Sequence, residues 1–204
     1  GTRAAVKVLH AEHAQHPEAR QRFEREATAL SALRHPNVIG VLEFGSHDGA
    51  LYLAMEYGEG ETLDRWIERG PLDPAMALYL GDQILAGLAY AHAHGILHRD
   101  LKSENVLVTR GPDGHPQPKL LDFGLVKFAD RATWGDATTL TAEGSVMGTP
   151  AYMPPEQARG DAVDERADVF SLGAMLYHLL AGAPPYAATT ATDVISHAIA
   201  GKVF

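Results

Sequence analysis

Apolar and polar positions along the chain sort into segments of two periods. Ala4–Leu9 alternates as a strand does, with Ala5, Lys7 and Leu9 on one face and Val6 and Val8 on the other. Residues 18–33 follow the helical period, placing Phe23, Ala27, Leu30 and Leu33 on one side, and His35-Pro36-Asn37 stops the helix. Residues 38–44 and 50–57 read as a hairpin-like pair of strands around Ser46-His47-Asp48-Gly49. A short helix is predicted over 62–68 and a long one over 74–94, carrying Leu78, Ile84, Leu85, Leu88 and Tyr90. The run Val106-Leu107-Val108 and the run Lys119-Leu120-Leu121 are short and apolar, separated by a turn at 111–116. A buried helix over 169–183 ends at Pro184-Pro185, and a last short helix covers 193–200.

Composition narrows the class. The 204 residues suffice for one large domain or two small lobes, and 46% hydrophobic residues predict a packed core. A formal charge of −9 argues against nucleic acid as a main partner, because phosphate binding needs a basic face. Without cysteine, neither a disulfide framework nor a thiolate metal site can form. The longest nearly uncharged stretch, 169–183, falls short of the roughly 18 to 20 apolar residues of a membrane span. No secretory signal opens the chain.

Charged and polar side chains concentrate in one loop, His98-Arg99-Asp100-Leu101-Lys102-Ser103-Glu104-Asn105, set between apolar segments. As core it would need a buried partner for each group. At the mouth of a site Asp100 can accept a proton, Lys102 can neutralise a developing anion, and Asn105 can offer a carbonyl oxygen to a metal. The next apolar run ends in Asp122-Phe123-Gly124. Lys7 is either an edge charge turned to water or a functional cation. Glu26 falls between Phe23 and Leu33 on the apolar face of its helix, where a carboxylate requires a cation, and Lys7 is the available one. His92, His94 and His98 invite a metal reading, but they run from a helix end into a loop and nothing completes a tetrahedral set.

Lys7, Glu26, the loop at 98–105, Asp122-Phe123-Gly124 and Pro155-Glu156, in that order, resemble the protein kinases. Lys102, the Gly148-Thr149-Pro150 segment and Pro155-Glu156-Gln157-Ala158 resemble the bacterial receptor-type serine/threonine kinases among them. The resemblance implies an α+β fold of two lobes: a small β-rich N-lobe over 1–57 and a larger helical C-lobe over 58–204, joined at a hinge over 56–60. It implies ATP as phosphate donor and Mg2+, with Mn2+ as the other ion. Lys7, held by Glu26, would orient the α- and β-phosphates, and Asn105 and Asp122 would bind the metal. Asp100 would orient and deprotonate the attacking hydroxyl, with Lys102 on the γ-phosphoryl group. Ala5, Met55, Glu56, Gly58 and Leu107 would line the nucleotide site; Met55 also reads as a core residue filling a gap.

His98, Arg99, Phe123, Gly124, Glu156 and Asp168 take structural roles under the same resemblance, Asp168 by accepting hydrogen bonds from the catalytic-loop backbone. Arg99 implies switching by phosphorylation in the activation loop, where Thr138, Thr139, Thr141 and Ser145 are candidates and Thr141 is favoured by its distance from Thr149. Glu143 would partly mimic a second phosphate, and Thr149 would contact the catalytic loop beside the substrate. Pro154 stands where the family usually has alanine or serine. The expected partners are proteins bearing serine or threonine and a second copy for trans-autophosphorylation, in the cytoplasm, with no nucleic acid and no membrane contact from this segment.

The chain does not begin with Met, and Lys202-Val203-Phe204 carries no terminal cap, so a fragment of a longer product is expected. The glycine-rich loop and the last helices, including the arginine that would pair with Glu156, would then lie outside it. A membrane anchor elsewhere in the parent protein fits the receptor-type resemblance. The competing readings are a non-catalytic kinase-fold scaffold and a small-molecule phosphotransferase.

Overall fold

Strand β1 (Ala4–Leu9) pairs with β3 (Ala50–Glu56), which pairs with β2 (Val41–His47), giving an antiparallel sheet in the order β1-β3-β2. The computed structural model describes residues 3–9, 17–123, 150–186, 188 and 190–201. The β2–β3 hairpin closes through Asp48 and Gly49, whose φ values of 49° and 79° match the twist of the flanking strands. Along β1 the alternation holds: Val6 and Val8 are exposed, while Ala5 and Lys7 are half-buried and Leu9 is buried. Lys7 therefore points inward, toward the side covered by helix α1 (Pro17–Ser31).

Phe23, Ala27 and Leu30 of α1 pack with Leu9, Val41, Leu51 and Leu53 of that sheet. The helix ends at Ser31, two residues before the expected 33; Leu33 is still buried, held in a turn by Leu33 N–H to Leu30 O at 3.1 Å. Val38 does not join β2 as expected. It bridges in parallel to Leu120, and Ile39 N–H donates to Leu120 O while Leu120 N–H donates to Asn37 O. Residues 37–39 thus strap the first sheet to the second.

The second sheet holds β4 (Gly60–Thr62), β5 (Val106–Arg110) and β6 (Pro116–Leu120) in that order, antiparallel throughout. Pro116 and Pro118 share parity with Leu120, whose N–H leaves the sheet toward Asn37 O. Prolines there remove only outward-pointing donors, which an edge strand tolerates. The outward carbonyls accept from side chains, Pro118 O from Asn37 Nδ2 at 2.9 Å and Pro116 O from Gln83 Nε2 at 3.3 Å.

Helices α2 (Leu63–Ile67), α3 (Pro74–Ala93), α4 (Pro155–Arg159), α5 (Glu165–Ala181) and α6 (Ala191–Ala200) make up the rest, with single 3-10 turns at Ser103–Asn105 and Pro150–Tyr152. Asp73 caps α3, accepting from Ala75 N–H at 2.9 Å, and Pro74 fits the first turn, where no donor is needed. The buried stripe of α3 runs Ala77, Leu80, Ile84, Leu88 and Ala91, so the expected core positions Leu78 and Leu85 lie on its exposed side. Gly87 allows close approach to the strap: a Cβ there would stand 3.0 Å from Asn37 O. Helix α5 starts at Glu165, four residues before the expected 169, because Asp164 caps it. Among the described residues, no helix is long and apolar enough to cross a membrane.

Candidate active site

The site is built where two left-handed backbone positions turn the chain. Arg99 has φ 62° and Asp122 φ 50°, conformations that non-glycine residues hold only when their surroundings fix them. For Arg99 the fixing group is Asp168 on α5, 2% exposed. Asp168 Oδ2 accepts from His98 N–H and Oδ1 from Arg99 N–H, both at 2.8 Å. His92 of α3 donates its Nε2–H to Asp168 Oδ2, also at 2.8 Å. A buried carboxylate is thus satisfied by three donors, and the loop is tied to both long helices.

His98 is fully buried. Its Nε2–H donates to Leu121 O at 2.8 Å, and its ring lies 4.7 Å from that of Phe123. Burial pushes its pKa below the usual value, so the ring is neutral, with Nδ1 unprotonated and, among the described residues, without a hydrogen-bond partner. Because Leu121 N–H also donates to Asn105 O at 2.8 Å, the catalytic-loop candidate and the Asp122 turn are stitched together.

Within that frame, Asn105 Nδ2 donates to Asp100 O at 2.8 Å and reaches Asp100 Oδ2 at 3.3 Å. This orientation leaves Asn105 Oδ1 as an acceptor. Lys102 Nζ stands 3.6 Å from Asp100 Oδ2, and Lys7 Nζ lies 2.9 Å from Asp122 Oδ2. Asp100, Lys102, Asn105, Asp122 and Lys7 are therefore gathered in one cluster.

Glu26 does not join it. The expected Lys7–Glu26 ion pair is absent, and among the described residues Glu26 makes no ion pair at all; the lysine has Asp122 instead. Burial raises the Glu26 pKa, while the charges of Arg99, Arg22 and Arg25 work against that rise. The helical period placed Glu26 on the inner face correctly, but it could not show that Lys7 pairs with Asp122 instead.

The nucleotide-site candidates sit around the junction of the two sheets. Ala5 pairs with Met55 across β1 and β3, and Met55 packs against the core. Glu56 N–H donates to Gly40 O at 2.8 Å, and its carboxylate accepts from Gly40 N–H at 3.3 Å. Gly58 lies against Leu107: an added Cβ would fall 2.5 Å from Leu107 Cδ2. Glu156 is half-buried in the first turn of α4 and makes no ion pair among the described residues. Gly124, Thr138, Thr139, Thr141, Glu143, Ser145 and Thr149 lie outside the described residues.

Sequence reasoning missed the part played by His92, which it weighed only as a metal ligand. The available signal was its position four residues after Leu88, on the buried stripe of α3.

A strand-rich half and a helical half meeting at such a cluster is the protein-kinase fold. The crystal structure of the Mycobacterium tuberculosis PknI kinase domain matches it with a TM-score of 0.67 and 33% identity, over 89% of this chain and 65% of that one. The family profile described as "Protein kinase domain" matches residues 1–203, and the chain belongs to that family. It is similar to the serine/threonine-protein kinase pkn3 of Myxococcus xanthus, with 45% identity over 83% of this chain and 31% of that protein. It is also similar to PrkC of Bacillus subtilis, with 38% identity over 93% of this chain and 28% of that protein. The chain thus spans about a third or less of these curated relatives. The family uses ATP and, typically, a divalent metal.

Proposed function

We propose that the protein carrying this chain transfers the γ-phosphoryl group of ATP to serine and threonine hydroxyls of proteins, its own activation segment among them. The observation that carries this reading is the single cluster of Asp100, Lys102, Asn105, Asp122 and Lys7. Asp100 takes the proton of the attacking hydroxyl as its oxygen bonds to phosphorus and the bond to the β-phosphate oxygen breaks, leaving ADP. Lys102, beside Asp100, offsets the charge on the phosphoryl group in flight.

A divalent ion, when bound, neutralises charge on the phosphates. Asn105 Oδ1 and Asp122 present hard oxygen donors that suit Mg2+ better than a soft metal, with Mn2+ as the alternative. Two protein ligands are enough for Mg2+, which draws its remaining ligands from phosphates and water. Lys7 holds Asp122 here; with Asp122 engaged at the metal, Lys7 would leave it for the phosphates, and Glu26, on the inner face of α1, is the carboxylate we assign to receive it. Ala5, Met55, Glu56, Gly58 and Leu107 form the adenine-side wall in this reading.

ATP as donor implies action in the cytoplasm, and the receptor-type resemblance implies an anchor elsewhere in the parent protein. Autophosphorylation at Thr141, between two copies, is the activating step we assign.

The test is phosphate incorporation by the full-length protein, followed by intact mass with ATP and Mg2+, beside an Asp100→Asn copy. Mass gain in steps of one phosphate, absent from the mutant, is expected. No gain in a folded, ATP-binding protein would turn the reading toward a scaffold.

A further inference from the structure

A chain of buried hydroxyls joins the catalytic loop to an imidazole on α5. Ser103 follows Lys102 directly and is 3% exposed. Its Oγ lies 3.1 Å from the hydroxyl of Tyr152, which is itself 4% exposed and 2.7 Å from His178 Nδ1. At the other end Ser103 Oγ donates to Glu104 Oε2 at 3.1 Å. Tyr152 is held from behind, its carbonyl accepting from Ser171 Oγ at 2.9 Å.

The three contacts are served by two hydroxyl hydrogens when His178 Nδ1 is unprotonated and by three when the ring is protonated, so the state of His178 decides their direction. With Nδ1 unprotonated, Tyr152 O–H donates to it, and the Ser103 hydrogen is divided between Tyr152 and Glu104. With the ring protonated, Nδ1–H donates to the tyrosine oxygen. Tyr152 O–H must then turn to Ser103, and the serine hydrogen is committed to Glu104.

We propose that His178 is a positioning residue for phosphoryl transfer, acting through Tyr152 and Ser103 on the loop that carries Asp100, Lys102 and Asn105. The inference rests on the function proposed above. The competent arrangement is the one with neutral imidazole. Protonation reverses the chain and adds a cation facing Glu104, drawing the 3-10 turn at Ser103–Asn105 away from its alignment with Asp100.

Burial lowers the His178 pKa and Glu104 raises it, with burial the larger. The same surroundings push Tyr152 up to about 12, so the phenol keeps its hydrogen in every relevant state. The charged groups facing the chain among the described residues are Glu104 from the turn and Asp64 from α2. Tyr177 is the adjacent titratable group on α5, and the His92–Asp168 pair lies ten residues along that helix, about 15 Å away.

Two readouts on the full-length protein test this. The first is kcat against pH with a serine-containing peptide at saturating ATP, for wild type, His178→Asn and Tyr152→Phe. Wild type should lose kcat as pH falls through a step below about 6.5. His178→Asn, which keeps a polar atom near Nδ1 but does not titrate, should lack that step, and Tyr152→Phe should cut kcat about tenfold with KM for ATP little changed. The second readout needs no turnover: NMR titration of the His178 ring should move by at least half a pH unit in Tyr152→Phe.

The same acidic step in His178→Asn as in wild type, or unchanged kcat in Tyr152→Phe, would overturn the inference. An unmoved His178 titration would overturn it as well. If wild type shows no turnover while the titration is coupled, it is the phosphoryl-transfer reading that fails, taking the positioning role with it.

Discussion

Lys7 reaches Asp122, at 2.9 Å, and leaves Glu26 without an ion pair among the described residues. The cations whose charges act on Glu26 are instead Arg99, Arg22 and Arg25. In this arrangement Glu26 suffers the cost of burial without a paired cation.

The charge on Glu26 is consequently a burden on the fold. Its folded pKa is raised, so the native state binds more protons than the unfolded chain and stability falls as pH rises from the unfolded value near 4.5 through the folded one. Glu26→Gln should remove this loss: the mutant is expected to match or exceed the wild-type melting temperature at pH 7 while kcat/KM drops at least tenfold. Thermal melts at pH 4 and 7, beside steady-state kinetics, measure both.

Asp168 carries the opposite expectation. Asp168→Ala strands the amides of His98 and Arg99 and the ring N–H of His92, all deprived of a buried acceptor. The cost should be about 3–5 kcal/mol, or roughly a 6–20 °C fall in melting temperature for a chain of this size. A calorimetric shift under 2 °C would contradict the tether.

His98 makes the fold sensitive to acid. Its folded pKa is lowered, so the unfolded chain binds the proton first, and stability is lost as pH falls below the unfolded value of 6.5. His98→Gln keeps a donor for Leu121 O and removes the titration. Between pH 7 and 5 the mutant's urea midpoint should fall less steeply than that of wild type, by up to one proton in the linkage slope.

Gly87→Ala tests the strap. The added methyl would crowd Asn37 O, a backbone atom with little room to move, and overpacking of this kind costs about 1–3 kcal/mol. Hydrogen exchange should report the loss first at Ile39 and Leu120, whose amides close the strap.

The elements themselves were legible where their cause was local. The inward face of β1, the Asp-Gly hairpin turn, the inner face of α1 and the two apolar runs around 106 and 120 all followed from period and turn chemistry. Helix ends were read less well, since Asp164 moves the start of α5 and the strap at 37–39 takes residues that a period-2 pattern gives to β2. At the site, the motif positions placed Asp100, Lys102, Asn105 and Asp122 together, because they lie on two segments that pair directly. What local pattern cannot carry is a choice between partners far apart in the chain. Lys7 facing Asp122 rather than Glu26 is one such choice, and His92 and His178, each bonding to a residue tens of positions away, are others.

The two prolines of β6 have a consequence for how the molecule meets its neighbours. Along that border of the second sheet, outward donors are missing at Pro116 and Pro118, and the outward carbonyls are taken by Gln83 and Asn37. An edge in this condition offers no template to a foreign strand, so crowded copies of the protein cannot add to it by intermolecular β-pairing. This border of the sheet is closed to foreign strands in part by Asn37, a residue of the same strap that ties the two sheets together.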